Sequence, residues 1–99
     1  MQMSSIDLTD LIIQKREEII AIAAQYGASS VRVIGSVARG DYGEHSDIDL
    51  LVDIDDQLKL CDLSEDLAEM LGVRVDVLSL ENVRSEKVRN YMLKECIQL

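Results

Sequence analysis

The sequence predicts an α/β (α+β) fold, a small mixed β-sheet of about three strands flanked by helices, in one domain over residues 1–99. Two segments, 47–54 and 73–78, alternate apolar with acidic or basic residues at the period of a half-buried strand. Between and before them run apolar stripes at helical spacing, each closed by a glycine. At 99 residues the chain can fill one core and has no room for a second.

Residues 8–26 open the pattern. Leu8, Leu11, Ile12, Ile19, Ile22, Ala23 and Tyr26 fall on one helical stripe, and Gly27 supplies the stop. Residues 31–34 form a short apolar strand that ends at Gly35. A connection over 36–46 follows, with one helical turn expected near residues 36–39. The second strand covers 47–54. Residues 58–71 carry Leu60, Leu63, Leu67, Met70 and Leu71 at helical spacing and close at Gly72. The third strand is 73–78 and a final helix spans 81–97. A link of about eleven residues suits antiparallel first and second strands, and a helix between the second and third suits a parallel crossover. Helices would then cover one face and leave the other open.

Composition narrows the chemistry. With 19 acidic and 10 basic residues the formal charge is −9. A nucleic-acid backbone is recognised by lysine and arginine, so direct nucleic-acid binding is not expected. Apolar residues make up 47% of the chain, yet none of its apolar runs approaches the length of a membrane span, and its first residues lack the pattern of a signal peptide. Cys61 and Cys96 have no CxxC spacing and are expected to be buried, reduced thiols of a cytoplasmic protein.

The run 35–52, GSVARGDYGEHSDIDLLV, holds the chemistry. Side chains alternate along a strand, so Asp47 and Asp49 project from one face about 6–7 Å apart, while Ile48, Leu50, Val52 and Ile54 take the other. In the third strand Val73, Val75 and Val77 are buried by the same parity, and Asp76 shares its face with Arg74. If the strands are neighbours, three carboxylates converge. Such a cluster is costly unless positive charge sits among them, and two divalent cations carrying a nucleoside triphosphate would supply it. Asp53 lies about 20 Å along the strand from Asp47, so Asp53, Asp55 and Asp56 read as a solvated strand exit.

Gly35-Ser36, at a strand end, lets backbone N–H groups approach a phosphate, with the serine hydroxyl as a further donor. Arg39, one turn on, reaches the same place. Neither a Walker A loop nor an EF-hand is present. His45, the only histidine, reads as a surface residue, and Tyr42 either stacks on a base or packs on its loop.

Gly35-Ser36, ten intervening residues, Asp47-x-Asp49, and then Asp76 in the next strand resemble the DNA polymerase beta nucleotidyltransferase superfamily. The wording GSVARGDYGEHSDIDLLVDI resembles its minimal nucleotidyltransferases, and the closing SEKVRNYMLKECI is similar to their last helix. The resemblance implies a polymerase-beta-like nucleotidyltransferase fold. It implies two Mg²⁺ ions held by Asp47, Asp49 and Asp76, and ATP phosphates held by Gly35, Ser36 and Arg39 with the Ser46 backbone nearby. It further implies an antitoxin of the MntA type, which transfers AMP from ATP to a tyrosine of a HEPN-domain RNase toxin.

A chain with only one helix beyond its third strand brings no domain of its own for recognising an acceptor, which favours a protein substrate. Two other readings stay open. A small-molecule nucleotidyltransferase would gain from a substrate pocket formed in a homo-oligomer, and a non-catalytic partner would mask the toxin by contact alone. The final helix, with Val88, Tyr91, Met92 and Ile97 beside Lys87, Arg89 and Lys94, is expected either to cover the sheet or to meet the partner.

Overall fold

At the centre of the sheet runs β2, Ile48–Ile54, in a computed structural model that describes residues 8–40 and 47–99. The strand order is β3-β2-β1-β4, with β1 at Ala28–Ile34, β3 at Val75–Ser79 and β4 at Ile97–Gln98. β1 and β2 are antiparallel and β2 and β3 are parallel, as the connection lengths require.

The sheet has four strands rather than about three. β4 is two residues long, pairs Ile97 with Val33 and Gln98 with Arg32, and is followed by Leu99 N–H donating to the Val31 carbonyl at 3.0 Å. A helix expected over 81–97 is instead a 3-10 turn at Leu80–Asn82, then α5 at Glu86–Glu95, capped by the Ser85 hydroxyl accepting from Val88 N–H. β1 begins three residues before the expected strand. Ser30 takes a left-handed φ of 51° at a register shift, a bulge that breaks the apolar alternation and hides the strand's start.

The stripe over 8–26 folds as two helices, α1 at Leu8–Gln14 and α2 at Arg16–Gln25, that meet at Lys15. Hydrogen bonds still cross the junction, from Lys15 N–H to Leu11 and from Ile19 N–H to Lys15. α3 is the short helix Gly35–Arg39, and α4 is Leu60–Leu71. Gly72 ends α4 at φ +73°, donating to the Ala68 carbonyl at 2.8 Å.

The main core lies between one sheet face and the helices α1, α2 and α4. Leu8, Ile12, Ile19, Leu63, Leu67 and Leu71 meet Val31, Val33, Ile48, Leu50, Val52 and Val75 there. Truncating a fully buried leucine such as Leu63 or Leu67 to alanine would cost about 2–5 kcal/mol.

The second face is not simply open. Leu51 lies on it and is 0% exposed, Ile34 is buried, and the 3-10 turn Leu80–Asn82 contacts β2, while α3 contacts β2 and sends Val37 into the main core. Asn82 donates to Gln57, which donates to the Ile54 carbonyl, tying that turn to the exit of β2.

Asp53 is not simply solvated either, since it pairs with Arg32 at 3.8 Å, and Asp56 caps the 3-10 turn Gln57–Lys59 through Leu58 N–H. Both cysteines are free, as expected, but neither is buried: Cys61 on α4 is exposed, and Cys96, the extended residue that caps α5, is half-buried. No helix among the described residues is long and apolar enough to cross a membrane.

Candidate active site

Strand register builds the site. Ile34 of β1 is the Cα partner of Asp49 in β2, and Asp49 is the partner of Asp76 in β3. One row across three strands therefore carries an apolar residue and two adjacent carboxylates, on the face away from the main core. Ser64 of α4 donates its hydroxyl to the Val75 carbonyl, which fixes the start of β3 beside this row.

Gly35 turns the chain off β1 at φ +75° and opens α3. A Cβ added there would lie 2.6 Å from Asp49 Oδ2, so only glycine lets the turn and the carboxylate come this close. The first amides of a helix have no partner within it, and Gly35, the first residue of α3, stands against Asp49. Ser36 follows, half-buried, and Arg39 is exposed at the far end of α3.

Asp47 precedes β2, and Arg74 precedes β3 beside it. Ile48 N–H donates to the Arg74 carbonyl at 3.1 Å. The Arg74 Nε lies 3.6 Å from Asp47 Oδ2 and 4.0 Å from Asp76 Oδ1. Burial raises the Asp49 carboxyl above the usual carboxylate range, Asp76 and then Asp47 add to that rise, and Arg39 opposes it. Asp47, Asp76 and Arg39 thus all act electrostatically on Asp49.

A cavity of about 720 Å³ opens over this row. Gly35, Arg39, Asp49 and Asp76 line one end of it, and Leu60, Leu78, Val88, Tyr91 and Met92 form an apolar wall. The volume lies within the range of small-molecule sites. No residue of α5 is buried, so this helix borders the cavity instead of covering the core.

Among the described residues, no three His, Cys, Asp or Glu side chains are gathered tightly enough to hold a metal ion. The donor chemistry nevertheless fits a hard divalent cation. The donors are carboxylate oxygens, and added positive charge would offset both the burial and the repulsion from Asp76 and Asp47 that raise Asp49. Ser46, together with Tyr42 and His45, lies outside the described residues.

Sequence reasoning placed Asp49 and Asp76 on facing strands but missed the contact between Gly35 and Asp49 and the bridging position of Arg74. The signal for the second was present, since Arg74 and Asp76 share a strand face. Nothing in the sequence signals the first, which depends on the path of the turn.

Residues 16–99 match the nucleotidyltransferase domain family. A chain of Methanocaldococcus jannaschii assigned to the protein adenylyltransferases is 30% identical over 91 residues, covering 89% of this chain and 91% of its own length. A solved minimal nucleotidyltransferase superposes with a TM-score of 0.83 at 40% identity, covering 98% of this chain and all of its own. A crystal structure of a mutant toxin–antitoxin complex, MntA–HpeT, contains a chain with a TM-score of 0.66 at 26% identity, over 85% of this chain and 70% of its own.

Proposed function

The chain belongs to the nucleotidyltransferase domain family, and from that premise we propose that it is a protein adenylyltransferase acting as an antitoxin. Its reaction moves AMP from ATP to a tyrosine hydroxyl of a HEPN-domain RNase toxin and thereby silences the toxin. Residues 1–99 act as one minimal nucleotidyltransferase domain in the cytoplasm. The observation that carries this reading is the close fit of Gly35 to Asp49, with Asp76 in register beside it.

In this mechanism the amides opening α3, the Ser36 hydroxyl, Arg39 and the Ser46 backbone hold the β- and γ-phosphates. Asp47, Asp49 and Asp76 would hold two Mg²⁺ ions, which supply charge neutralisation at the triphosphate and lower the pKa of the attacking hydroxyl. The tyrosine oxygen forms a bond to the α-phosphorus, the bond from that phosphorus to the bridging oxygen breaks, and pyrophosphate leaves. Asp76, which lines the cavity, accepts the hydroxyl proton. The apolar wall of the cavity receives the acceptor's aromatic side chain.

The test is co-expression with a candidate HEPN-domain toxin followed by intact mass measurement. The expected result is a partner carrying AMP with the wild-type chain and none with Asp76→Asn. A partner left unmodified yet silenced by both proteins would point to masking by contact. The cavity volume also suits a small acceptor, and an unmodified partner with no silencing would direct attention to that reading.

A further inference from the structure

We propose that Arg74 is an internal counter-ion of the carboxylate cluster, occupying in the resting protein the electrostatic place that a divalent cation takes on loading. The proposal rests on the reading of Asp47, Asp49 and Asp76 as the metal-holding residues. Its basis is the position of one guanidinium between two of them. Arg74 Nε stands 3.6 Å from Asp47 and 4.0 Å from Asp76, on two different sheet segments.

The backbone holds Arg74 in that position. Its carbonyl accepts from Ile48 N–H, the residue between Asp47 and Asp49, so the start of β3 is stitched to the start of β2. The side chain, by contrast, is 74% exposed and the ion-pair distances are long for a hydrogen-bonded pair. A guanidinium tied by charge alone, with solvent on its open side, can swing away without disturbing the core. Arg39 acts on the same cluster through Asp49.

Two consequences follow from Coulomb's law. Without a divalent cation, Arg74 offsets repulsion between Asp47 and Asp76 and steadies the β2–β3 edge. With one, the guanidinium is a like charge a few ångströms away and must leave, so it weakens cation binding. Arg74 is thus a positioning residue that sets how much cation the site needs before it loads.

The experiment compares wild type with Arg74→Gln and Arg74→Lys by thermal denaturation in chelator-treated buffer and by Mn²⁺ titration calorimetry without nucleotide. Arg74→Gln is expected to melt below wild type in metal-free buffer and to bind Mn²⁺ roughly three- to tenfold more tightly. Arg74→Lys, which keeps the charge, is expected to stay near wild type in both. Arg74→Gln that folds only with Mn²⁺ present would also support the proposal. Unchanged or weaker Mn²⁺ binding in Arg74→Gln, or failure to fold with and without Mn²⁺, would overturn it and leave the metal reading standing. No Mn²⁺ binding by wild type would overturn that reading, and this proposal with it.

Discussion

Gly35 and Asp49 share a space that admits only one of a Cβ and a carboxylate, since a methyl on Gly35 would sit 2.6 Å from Asp49 Oδ2. The turn that ends β1 and the carboxylate of β2 are therefore one device. A substitution in the first moves the second.

Gly35→Ala is expected to lose nucleotide transfer and to cost about 1–2 kcal/mol for an alanine held at positive φ. Gly72 is the control, because its φ of +73° imposes the same backbone strain while a Cβ there meets nothing within 4 Å. Gly72→Ala should melt at a lower temperature than wild type but retain transfer. Thermal denaturation and a transfer assay on both variants separate strain from displacement of Asp49. Equal activity in the two would show that the contact is not needed.

The raised carboxyl of Asp49 predicts a trade of stability for activity. A carboxyl whose folded pKa lies above its unfolded value favours the fold below the unfolded pKa and loses that contribution as pH rises through the folded one. At neutral pH the ionised group is therefore a burden on the metal-free protein. Asp49→Asn should raise its Tm by a few degrees, on a scale of about 4–8 °C per kcal/mol for a domain of this size. The difference should shrink as acidification protonates Asp49 in the wild type. Transfer should fall at least about a hundredfold.

Much of this site is legible in sequence because strand parity is a rigid rule. Asp49 and Asp76 fall on the face opposite Ile48, Leu50 and Val75, and the structure puts them in register. Departures from the expected fold arise where no local pattern exists. β4 is two residues whose pairing partners, Arg32 and Val33, lie more than sixty positions away, so nothing near Ile97 marks it as strand. Ser29 and Ser30 lie outside the expected strand 31–34, yet the bulge carries them into β1. The apolar residues of α5 suggest core packing, but Val88 and Tyr91 remain exposed beside the cavity.

That exposure separates two cations of α5 that look alike in sequence. Arg89 is partly buried and donates to the Val83 carbonyl at 2.8 Å, holding the loop before α5, whereas Lys94 is exposed. Arg89→Ala should destabilise the protein by about 1–2 kcal/mol, the scale for losing one such bond. Lys94→Glu should leave stability within about 0.5 kcal/mol of wild type, as surface changes do. Charge reversal at Lys94 alone is thus the clean probe of a partner surface on this helix. Melting curves of the two variants check the distinction, and equal losses would place Lys94 in the fold as well.

At the far side of the molecule Tyr26, the C-cap of α2, donates its hydroxyl to Asp66 on α4 and joins the two helices that carry the core. The bond to Asp66 is the main cause that raises the phenol to about 12 from an ordinary 10, with Asp62 and Glu65 adding smaller pushes. A tyrosine raised in the fold supports it fully below pH 10, and that support is lost as pH climbs through about 12. Ultraviolet titration should therefore show one phenol ionising later than a free tyrosine. Asp66→Asn removes the charge and should bring that transition back toward 10, which a titration of Tyr26→Phe assigns by its disappearance. The same Asp66→Asn variant should lose stability only modestly near neutral pH, because the pair faces solvent. A late-ionising phenol that persists in Asp66→Asn would show that the bond to α4 is not its cause.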